Sequence, residues 1–242
     1  MKEAALKTKE YISVGEGAKR SFGGRQHWLA ETGRPSLAAC GCGAVAAADL
    51  FLYLARSRPE WETPLCAPLA RSGSLTRESY CEYCLEVARR YARPLPRLGK
   101  TGLGLSLGVE RYFAENRINL RAEWRQTALS RGPESDYLTM LQNDLPVVMS
   151  VPAFPLKVKS LNFYRAADTK KAPADAYRYR ERSGHFVTAI ALRPLGDGLA
   201  LEISSWGRRF YLDWEEYLAA AHRGAGLLTC GYILLRPSAA RG

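Results

Sequence analysis

The 242-residue chain lacks the features that mark membrane proteins and disulfide-stabilised secreted proteins. No apolar run approaches the length of roughly 18 residues that a membrane-spanning helix needs. The first residues contain no apolar signal-peptide core, and we therefore expect a cytoplasmic protein. The six cysteines occur without a secretion signal, which favours reduced thiols over a disulfide framework. Histidine is scarce, with three in the chain, and this leaves few candidates for a catalytic base.

One pair of cysteines has the spacing of a metal or redox site. Cys81 and Cys84 form a CxxC, but they lie in a helix-like run, and no second CxxC or CxxH nearby completes a zinc site. Chance explains this pair better than metal binding does. Cys66 and Cys230 carry no spacing signal. The sequence implies no metal and no organic cofactor.

The charge of the chain is strongly basic, at +11, and it is unevenly distributed. Segment 157–182 alone carries eight basic and three acidic residues. Net charge indicates what a protein associates with and says little about its fold. No RNA-binding aromatic motif or zinc-finger spacing accompanies the basic residues. We interpret the segment as a solvated basic loop.

Hydrophobic patterning predicts helices in the first part of the chain and antiparallel strands in the last hundred residues. Helices are expected at 42–56, 76–91, 105–116, 137–143 and 213–222, the last capped by Asp213. Strands are expected at 145–151, 185–192, 199–204, 210–212 and 227–235, with a hairpin turn at 196–198. The pattern is that of an α+β protein with a single domain over 1–242. Its helical lobe would span about 38–145 and its β lobe about 146–242.

The most informative segment places Cys42 between two glycines, directly before an alanine-rich helical stretch. A thiol at a helix N-terminus faces unpaired backbone N–H groups and the positive end of the helix dipole. Both favour the thiolate, which is the nucleophilic form. This is where a cysteine hydrolase would place its attacking atom. The alternative is a small buried cysteine that only lets the helix pack closely.

A cysteine nucleophile needs a histidine to take its proton. His185 begins a predicted strand and lies 143 residues after Cys42, within the range of about 130–150 found in papain-like enzymes. His27 lies in an irregular segment, and His222 closes a helix where positive charge suits the dipole. His185 is therefore the candidate base.

The order of Cys42, His185 and a strand that ends in Ser-Trp-Gly resembles the papain-like cysteine peptidases. The likeness is closest to the bacteriocin-processing type, which cleaves double-glycine leaders, and its bacterial relatives. That type combines a Gln and a Trp, then Gly-Cys-Gly before a small-residue helix, then a His-aromatic-Val strand. The matching residues here are Gln26 and Trp28, 41–43, and 185–188. The resemblance implies a papain-like fold, in which helical and β lobes enclose a cleft.

The resemblance also implies roles for individual residues. Cys42 would be the nucleophile and His185 the general base. Gln26 would donate its side-chain amide to the oxyanion, beside the backbone N–H of Cys42. Cys40 is the rival thiol, but it fits the motif poorly. The basic loop would border the cleft, where Arg178 and Arg180 would select substrates with acidic or C-terminal carboxylate groups as part of a lid. The alternative is a solvated insertion with no role.

The chain departs from the family at the residue that orients the histidine. Ser204 stands where papain-like enzymes carry Asn and the bacteriocin-processing type carries Asp. Glu202 lies on the same strand face and is the alternative. Trp206 would wall the cleft by packing over His185, or it is ordinary core.

Three hypotheses for function remain open. The first is a thiol-dependent amide or peptide hydrolase that acts on a peptide or protein substrate. The second is a catalytically silent papain-like module that binds a peptide in the same cleft, and the missing Asn or Asp favours it. The third is a basic nucleic-acid-binding protein in which Cys42 is a core residue. The third has the least support, because no recognised nucleic-acid-binding motif accompanies the charge.

Overall fold

A computed structural model of the chain describes residues 3–8, 10–95, 99–152, 161–165, 177–179, 184–195, 198–224 and 226–238. The helices are α1 (Pro35–Cys40), α2 (Cys42–Ser57), α3 (Ala67–Ala70), α4 (Arg77–Arg90), α5 (Gly102–Glu115), α6 (Pro133–Gln142), α7 (Trp214–Ala221) and α8 (Gly226–Thr229). The strands are β1 (Ala4–Ala5), β2 (Ser13–Val14), β3 (Ser21–Phe22), β4 (Leu120–Gln126), β5 (Val147–Val151), β6 (Leu161–Phe163), β7 (Tyr177–Tyr179), β8 (His185–Leu195), β9 (Gly198–Ser205), β10 (Arg208–Asp213) and β11 (Gly231–Pro237).

The main sheet is antiparallel and confirms the expected α+β class. Its strands follow the order β10-β9-β8-β5-β11-β4, and β1 pairs with β8 beside them. The interior strand β8 pairs His185 with Val151 of β5 and Thr188 with Ser204 of β9. The first residues of β8 and the last residues of β9 therefore lie close together, at one end of these two strands.

Helix α2 is the buried centre of the molecule. All positions from 43 to 55 are buried, because the first half of the helix is rich in alanine, the second half in large apolar side chains, and Asp49 is the one charged residue among them. The helix packs against β8 on one side and α4 on the other. The alanines let its N-terminal half approach the sheet closely. This packing brings the start of α2 to the start of β8.

Most of the expected elements form, with helix ends within a few residues of their predicted positions. Asp213 caps α7 as predicted, since its carboxylate accepts from the backbone N–H of Glu216 at 3.0 Å. The strands β8 and β9 pair up to Leu195 and Gly198, as expected of a hairpin. The turn residues 196 and 197 themselves lie outside the described residues.

The sequence did not predict α1, α3 or the strand pair β6–β7, which lies within the segment interpreted as a loop, and two further differences concern the main sheet. Strand β4 was not expected, although charged residues at 121, 123 and 125 alternate with less polar ones in the period of a strand. The predicted helical lobe, 38–145, therefore contributes an edge strand to the sheet. The strand expected from Leu227 begins at Gly231 instead. Before it, Gly226 lies against the carbonyl of Ala220 and starts the short helix α8, with Cys230 N–H donating to Gly226 O at 2.9 Å.

The basic loop falls mostly outside the described residues. Arg180 is among those that are not described, and Arg178 lies in β7, which pairs with β6. The role of the basic loop as a lid stays a prediction. Across the described part of the chain, no helix combines the length and apolar character required to cross a membrane.

Candidate active site

Cys42 is the first residue of α2, and the two glycines beside it are explained by close packing. A Cβ at Gly41 would overlap the carbonyl oxygen of Leu37 in α1. A Cβ at Gly43 would lie 3.3 Å from the ring of Phe186 in β8. The glycines thus allow the N-terminus of α2 to reach both α1 and the strand that begins at His185. The predicted position of the cysteine at a helix N-terminus is confirmed.

The environment of the Cys42 thiol differs from the one expected. Backbone N–H groups of Phe186, Gly43 and Cys42 itself hydrogen-bond to the sulfur and lower its pKa. Burial acts in the opposite direction and is the larger effect, so the pKa of the Cys42 thiol is raised above its ordinary value. A negative charge on the neighbouring Cys40 would raise it further. The direction of the pKa shift is therefore opposite to the one expected from the helix terminus.

His185 is buried at the first position of β8. Its Nε2 lies 2.9 Å from the hydroxyl of Ser205, and its ring stacks on Trp206 with centroids 4.5 Å apart and planes 11° from parallel. Burial lowers the pKa of His185 to about 3, and positive charge on the nearby His27 contributes in the same direction. The imidazole is therefore neutral at physiological pH. The prediction that Trp206 packs over His185 is confirmed.

The serine that contacts His185 is not the one predicted. Ser204 donates to the backbone carbonyl of Phe22 at 2.9 Å, and Ser205 meets the imidazole instead. Glu202 is not the partner either, because its carboxylate pairs with Arg193 and Arg209 at 3.0 and 3.1 Å. Neighbouring strand residues point to opposite faces, so a shift of one position changes which side chain reaches the histidine.

A two-residue turn, Trp206 and Gly207, connects Ser205 at the end of β9 to β10. Ser205 pairs with Arg208, and both Trp206 and Gly207 have positive φ, at 49° and 71°. This is the backbone of a tight hairpin turn, in which glycine is favoured and tryptophan is uncommon. The turn holds the Trp206 ring against His185. Backbone strain at a bulky residue is typical of positions that a functional site fixes.

Gln26 joins Cys42 and His185 at one small cavity, which we call the cleft. The cleft has a volume of about 20 Å³, and its walls also include Ser205 and Trp206. That volume is close to the room that a single water needs. The Gln26 amide nitrogen donates to the carbonyl of Ala38 at 2.8 Å. The Gln26 Oε1 is buried and has no hydrogen-bond partner among the described residues. The predicted residues from three distant parts of the chain therefore line one cleft.

Asp49 also lines the cleft, and the sequence reasoning missed it. It lies seven residues after Cys42, about two turns along the same face of α2. Its carboxylate accepts from the hydroxyl of Tyr80 at 2.6 Å and from the backbone N–H of Gly24 at 3.0 Å. Burial raises the pKa of Asp49 to about 7. A single acidic residue inside an apolar helix was the signal that would have found it.

Segment 22–26, which carries Gln26, is held on two sides. Gly24 donates to Asp49 of α2, as above, and Phe22 N–H donates to the carbonyl of Gly207 at 2.9 Å. Gly23 has φ 80°, and a Cβ there would overlap the hydroxyl of Ser204. The segment thus fills the space between α2 and the Trp206–Gly207 turn. This is how a loop far from Cys42 in sequence becomes part of the cleft wall.

The remaining cysteines do not form a second site. All six thiols are free, which agrees with the prediction of reduced cysteines, and Cys81 and Cys84 are buried in α4. Within the described ranges, no three His, Cys, Asp or Glu side chains are grouped so that they could hold a metal ion. Cys40, the rival nucleophile, ends α1 and does not line the cleft.

Comparison with known proteins adds no relative. No protein-family model matches the chain, and no curated protein matches its sequence significantly. The geometry of the cleft is therefore the basis for proposing a function.

Proposed function

We propose that the chain is a thiol-dependent amide or peptide hydrolase of the papain-like type, most similar to the bacteriocin-processing peptidases. The observation that supports it most strongly is the meeting of Cys42, His185 and Gln26 at one cleft, at the N-terminus of a buried helix. An attacking atom, a base and a side-chain amide donor are the groups that acyl transfer requires. The substrate is a peptide or a protein, and the chemistry needs no cofactor.

In the first half of the reaction, the Cys42 sulfur attacks the substrate carbonyl carbon and the thiol proton passes to the ring nitrogen Nδ1 of His185. In the tautomer that this step uses, Nε2–H donates to the Ser205 hydroxyl, 2.9 Å away, and Nδ1 accepts the thiol proton. The carbonyl oxygen becomes an oxyanion. It accepts hydrogen bonds from the Cys42 N–H and from the second amide hydrogen of Gln26, whose first hydrogen bonds Ala38.

In the second half, the imidazolium gives its proton to the leaving nitrogen, the C–N bond breaks and a thioester to Cys42 remains. Water then adds to the thioester carbon while His185 takes a proton from it. The C–S bond breaks, the acid product leaves and the thiol recovers its proton. Because burial keeps both reacting groups neutral before substrate binds, His185 acts as a general base during attack rather than as one half of a preformed ion pair.

The second candidate is a catalytically silent papain-like module that binds a peptide. The same burial favours it, because a raised pKa at Cys42 and a lowered pKa at His185 both oppose the thiolate–imidazolium pair. The orienting group is a neutral serine, which supplies no charge to stabilise an imidazolium. In this case Cys42 would be chemically inert although the cleft still accepts a ligand.

Covalent labelling separates the two candidates. We would treat the protein with a library of peptidyl vinyl sulfones, which alkylate an activated thiol, and locate the modified cysteine by peptide mass spectrometry. A hydrolase is labelled at Cys42 in preference to its five other cysteines. The labelling is lost in His185→Ala and retained in His27→Ala, which removes a nearby exposed histidine that has no part in the proposed mechanism.

Two outcomes would contradict the hydrolase. The first is a Cys42 that stays unmodified in the folded protein but is alkylated readily after unfolding. The second is a labelling rate at Cys42 that His185→Ala leaves unchanged. Thermal melting of each variant shows whether the loss reflects chemistry or unfolding. A Cys40→Ala variant tests the rival thiol, and we expect its labelling at Cys42 to match that of the unaltered protein.

A further inference from the structure

A second, larger cavity adjoins the cleft on the outer side of segment 22–26. It has a volume of about 770 Å³, and we call it the basic groove. Its lining includes five basic side chains (Lys19, Arg20, Arg25, Arg77 and Arg208) and two acidic ones (Glu16 and Glu78), with Trp28 among them. The groove is therefore positively charged, open to solvent and floored in part by an aromatic ring.

The groove and the cleft share a wall. Arg25, which lines the groove, directly precedes Gln26, which lines the cleft. Arg208 of the groove follows the turn whose first residue, Trp206, stacks on His185. A ligand that passes over this wall therefore extends from the cleft into the groove without leaving the protein surface.

Part of the positive charge in the groove forms no ion pair with the residues that the structure describes. Arg20 forms an ion pair with Glu10, and Arg77 forms one with Glu31. Among the described residues, no ion pair joins a carboxylate to Lys19, Arg25 or Arg208. Basic side chains thus outnumber the two acidic ones of the lining, and three of the five form no ion pair with the described residues. Such a surface attracts an anionic ligand.

The cation nearest the cleft is also held in place before any ligand binds. Arg25 Nε donates to the Trp206 carbonyl at 3.0 Å, and its guanidinium lies 5.9 Å from the centroid of the Trp28 ring. Its aliphatic part packs where Gly207 has no side chain, since a Cβ there would overlap the Arg25 Cγ. A guanidinium fixed in this way loses little side-chain entropy when it meets a carboxylate.

We propose that the basic groove binds an acidic segment of the peptide substrate whose scissile bond lies in the cleft. This inference rests on the proposed hydrolase function and names a chemical class for its substrate. The carboxylates of Glu or Asp side chains, placed to one side of the scissile bond, meet Arg25 and Arg208. The net charge of +11 assists their approach.

Binding is tested without catalysis, on the Cys42→Ala protein, with a fluorescein-labelled peptide that contains four Glu and a matched peptide with Gln in their place. Fluorescence anisotropy should show preference for the Glu peptide, weakened about tenfold by Arg208→Glu. The control is Arg223→Glu, which makes the same change in net charge at an exposed position outside the groove. Equal weakening by the two variants would overturn the proposal, because binding would then follow net charge alone.

The connection to the cleft is tested with two peptidyl vinyl sulfones that differ only in Glu against Gln. The Glu reagent should label Cys42 about tenfold faster, and Arg208→Glu should abolish that advantage whereas Arg223→Glu should keep it. Equal rates for the two reagents would overturn the groove proposal and leave the hydrolase standing. Failure of both reagents to label Cys42 would instead contradict the hydrolase, and the substrate assignment with it.

A nucleic acid is the other polyanion that a basic, aromatic groove attracts. A labelled oligothymidylate is therefore included in the anisotropy experiment. We expect it to bind more weakly than the Glu peptide at about 0.15 M salt. Tighter binding of the oligonucleotide, lost in Arg208→Glu and kept in Arg223→Glu, would overturn the peptide assignment.

Discussion

The cleft and the basic groove lie on two sides of segment 22–26 and differ in charge: the reacting groups of the cleft are neutral, whereas the groove is lined by exposed basic side chains. In the cleft, burial keeps the Cys42 thiol and the His185 imidazole neutral, and the space is about 20 Å³. In the groove, exposed basic side chains such as Lys19 and Arg208 line a space of about 770 Å³. The first arrangement suits bond making away from water, and the second suits recognition in water.

The difference teaches how the two sites would divide the work of a hydrolase. A charge formed in the buried cleft is destabilising until the substrate supplies a counter-charge. Ionisation of the cleft residues therefore depends on what is bound. Charges in the groove are already solvated and cost little to display. The groove would gather and align the substrate, and the cleft would react with it.

The largest effect is expected from a lysine placed in the cleft, because its amine must there be either desolvated as an ammonium or deprotonated. His185→Lys puts that amine where the imidazole is buried, and we expect a loss of about 3 kcal/mol or more in the free energy of unfolding. Arg208→Gln removes a charge from the groove and should change that free energy by less than about 0.5 kcal/mol. Urea unfolding at pH 7 measures both. A loss below about 1 kcal/mol for His185→Lys would mean that water reaches the cleft freely.

A second prediction concerns the pH dependence of stability, because two buried groups of the cleft change the free energy of unfolding in opposite directions as pH falls. The pKa of His185 is lowered to about 3, so its neutral form stabilises the fold above its ordinary pKa of 6.5, and that stabilisation is lost as pH falls from about 6.5 to 3. The pKa of Asp49 is raised from 3.8 to about 7, so its protonated form stabilises the fold at low pH, and that stabilisation is lost as pH rises from about 4 to 7. In the unaltered protein the two contributions offset each other.

Variants should reveal each contribution alone. Relative to the unaltered protein, Asp49→Asn should lose stability as pH falls from about 6.5 to 4, by up to a few kcal/mol. His185→Gln should show the opposite trend and lose stability as pH rises through the same range. Free energies of unfolding at several pH values between about 4 and 7.5 measure both slopes. Parallel pH profiles for the three proteins would contradict the assignment of these buried groups.

A third prediction separates the two adjacent serines. Ser205→Ala removes the hydroxyl that lies 2.9 Å from His185 Nε2, and the rate of Cys42 labelling by a peptidyl vinyl sulfone should fall about tenfold. Ser204→Ala should leave that rate within about twofold. It should lower the free energy of unfolding by about 1 kcal/mol, because the Phe22 carbonyl loses its donor. A reversed order of the two rates would restore Ser204 as the orienting residue.

The sequence was sufficient for the elements that local patterns determine. The glycines and alanines around Cys42 predicted the start of α2, and the apolar run after His185 predicted β8, so both candidate residues were placed on the right elements. Strand β4 was missed because its exposed edge carries three charged residues among seven, which weakens the apolar signal of a strand.

The details that were not predictable depend on packing between distant segments. Whether Ser204 or Ser205 faces the histidine is a matter of register in β9, where one residue changes the face. The pKa of Cys42 is the balance of backbone N–H donors, which the helix start predicts, against burial, which it does not. The burial of Cys42 is known only from the folded chain.

The smallest effect is expected from salt, and it compares the cleft and the groove in a single protein. An increase from about 0.05 to 0.5 M salt screens exposed charges, so labelling of Cys42 by the Glu-containing vinyl sulfone should slow by a few-fold. Labelling by iodoacetamide, which is neutral and reaches only the cleft, should change by less than about 1.5-fold, since buried groups are screened little. Arg208→Glu should remove the salt dependence of the first reagent. If both reagents slow equally, salt acts on Cys42 itself, and the cleft is more open to ions than its burial indicates.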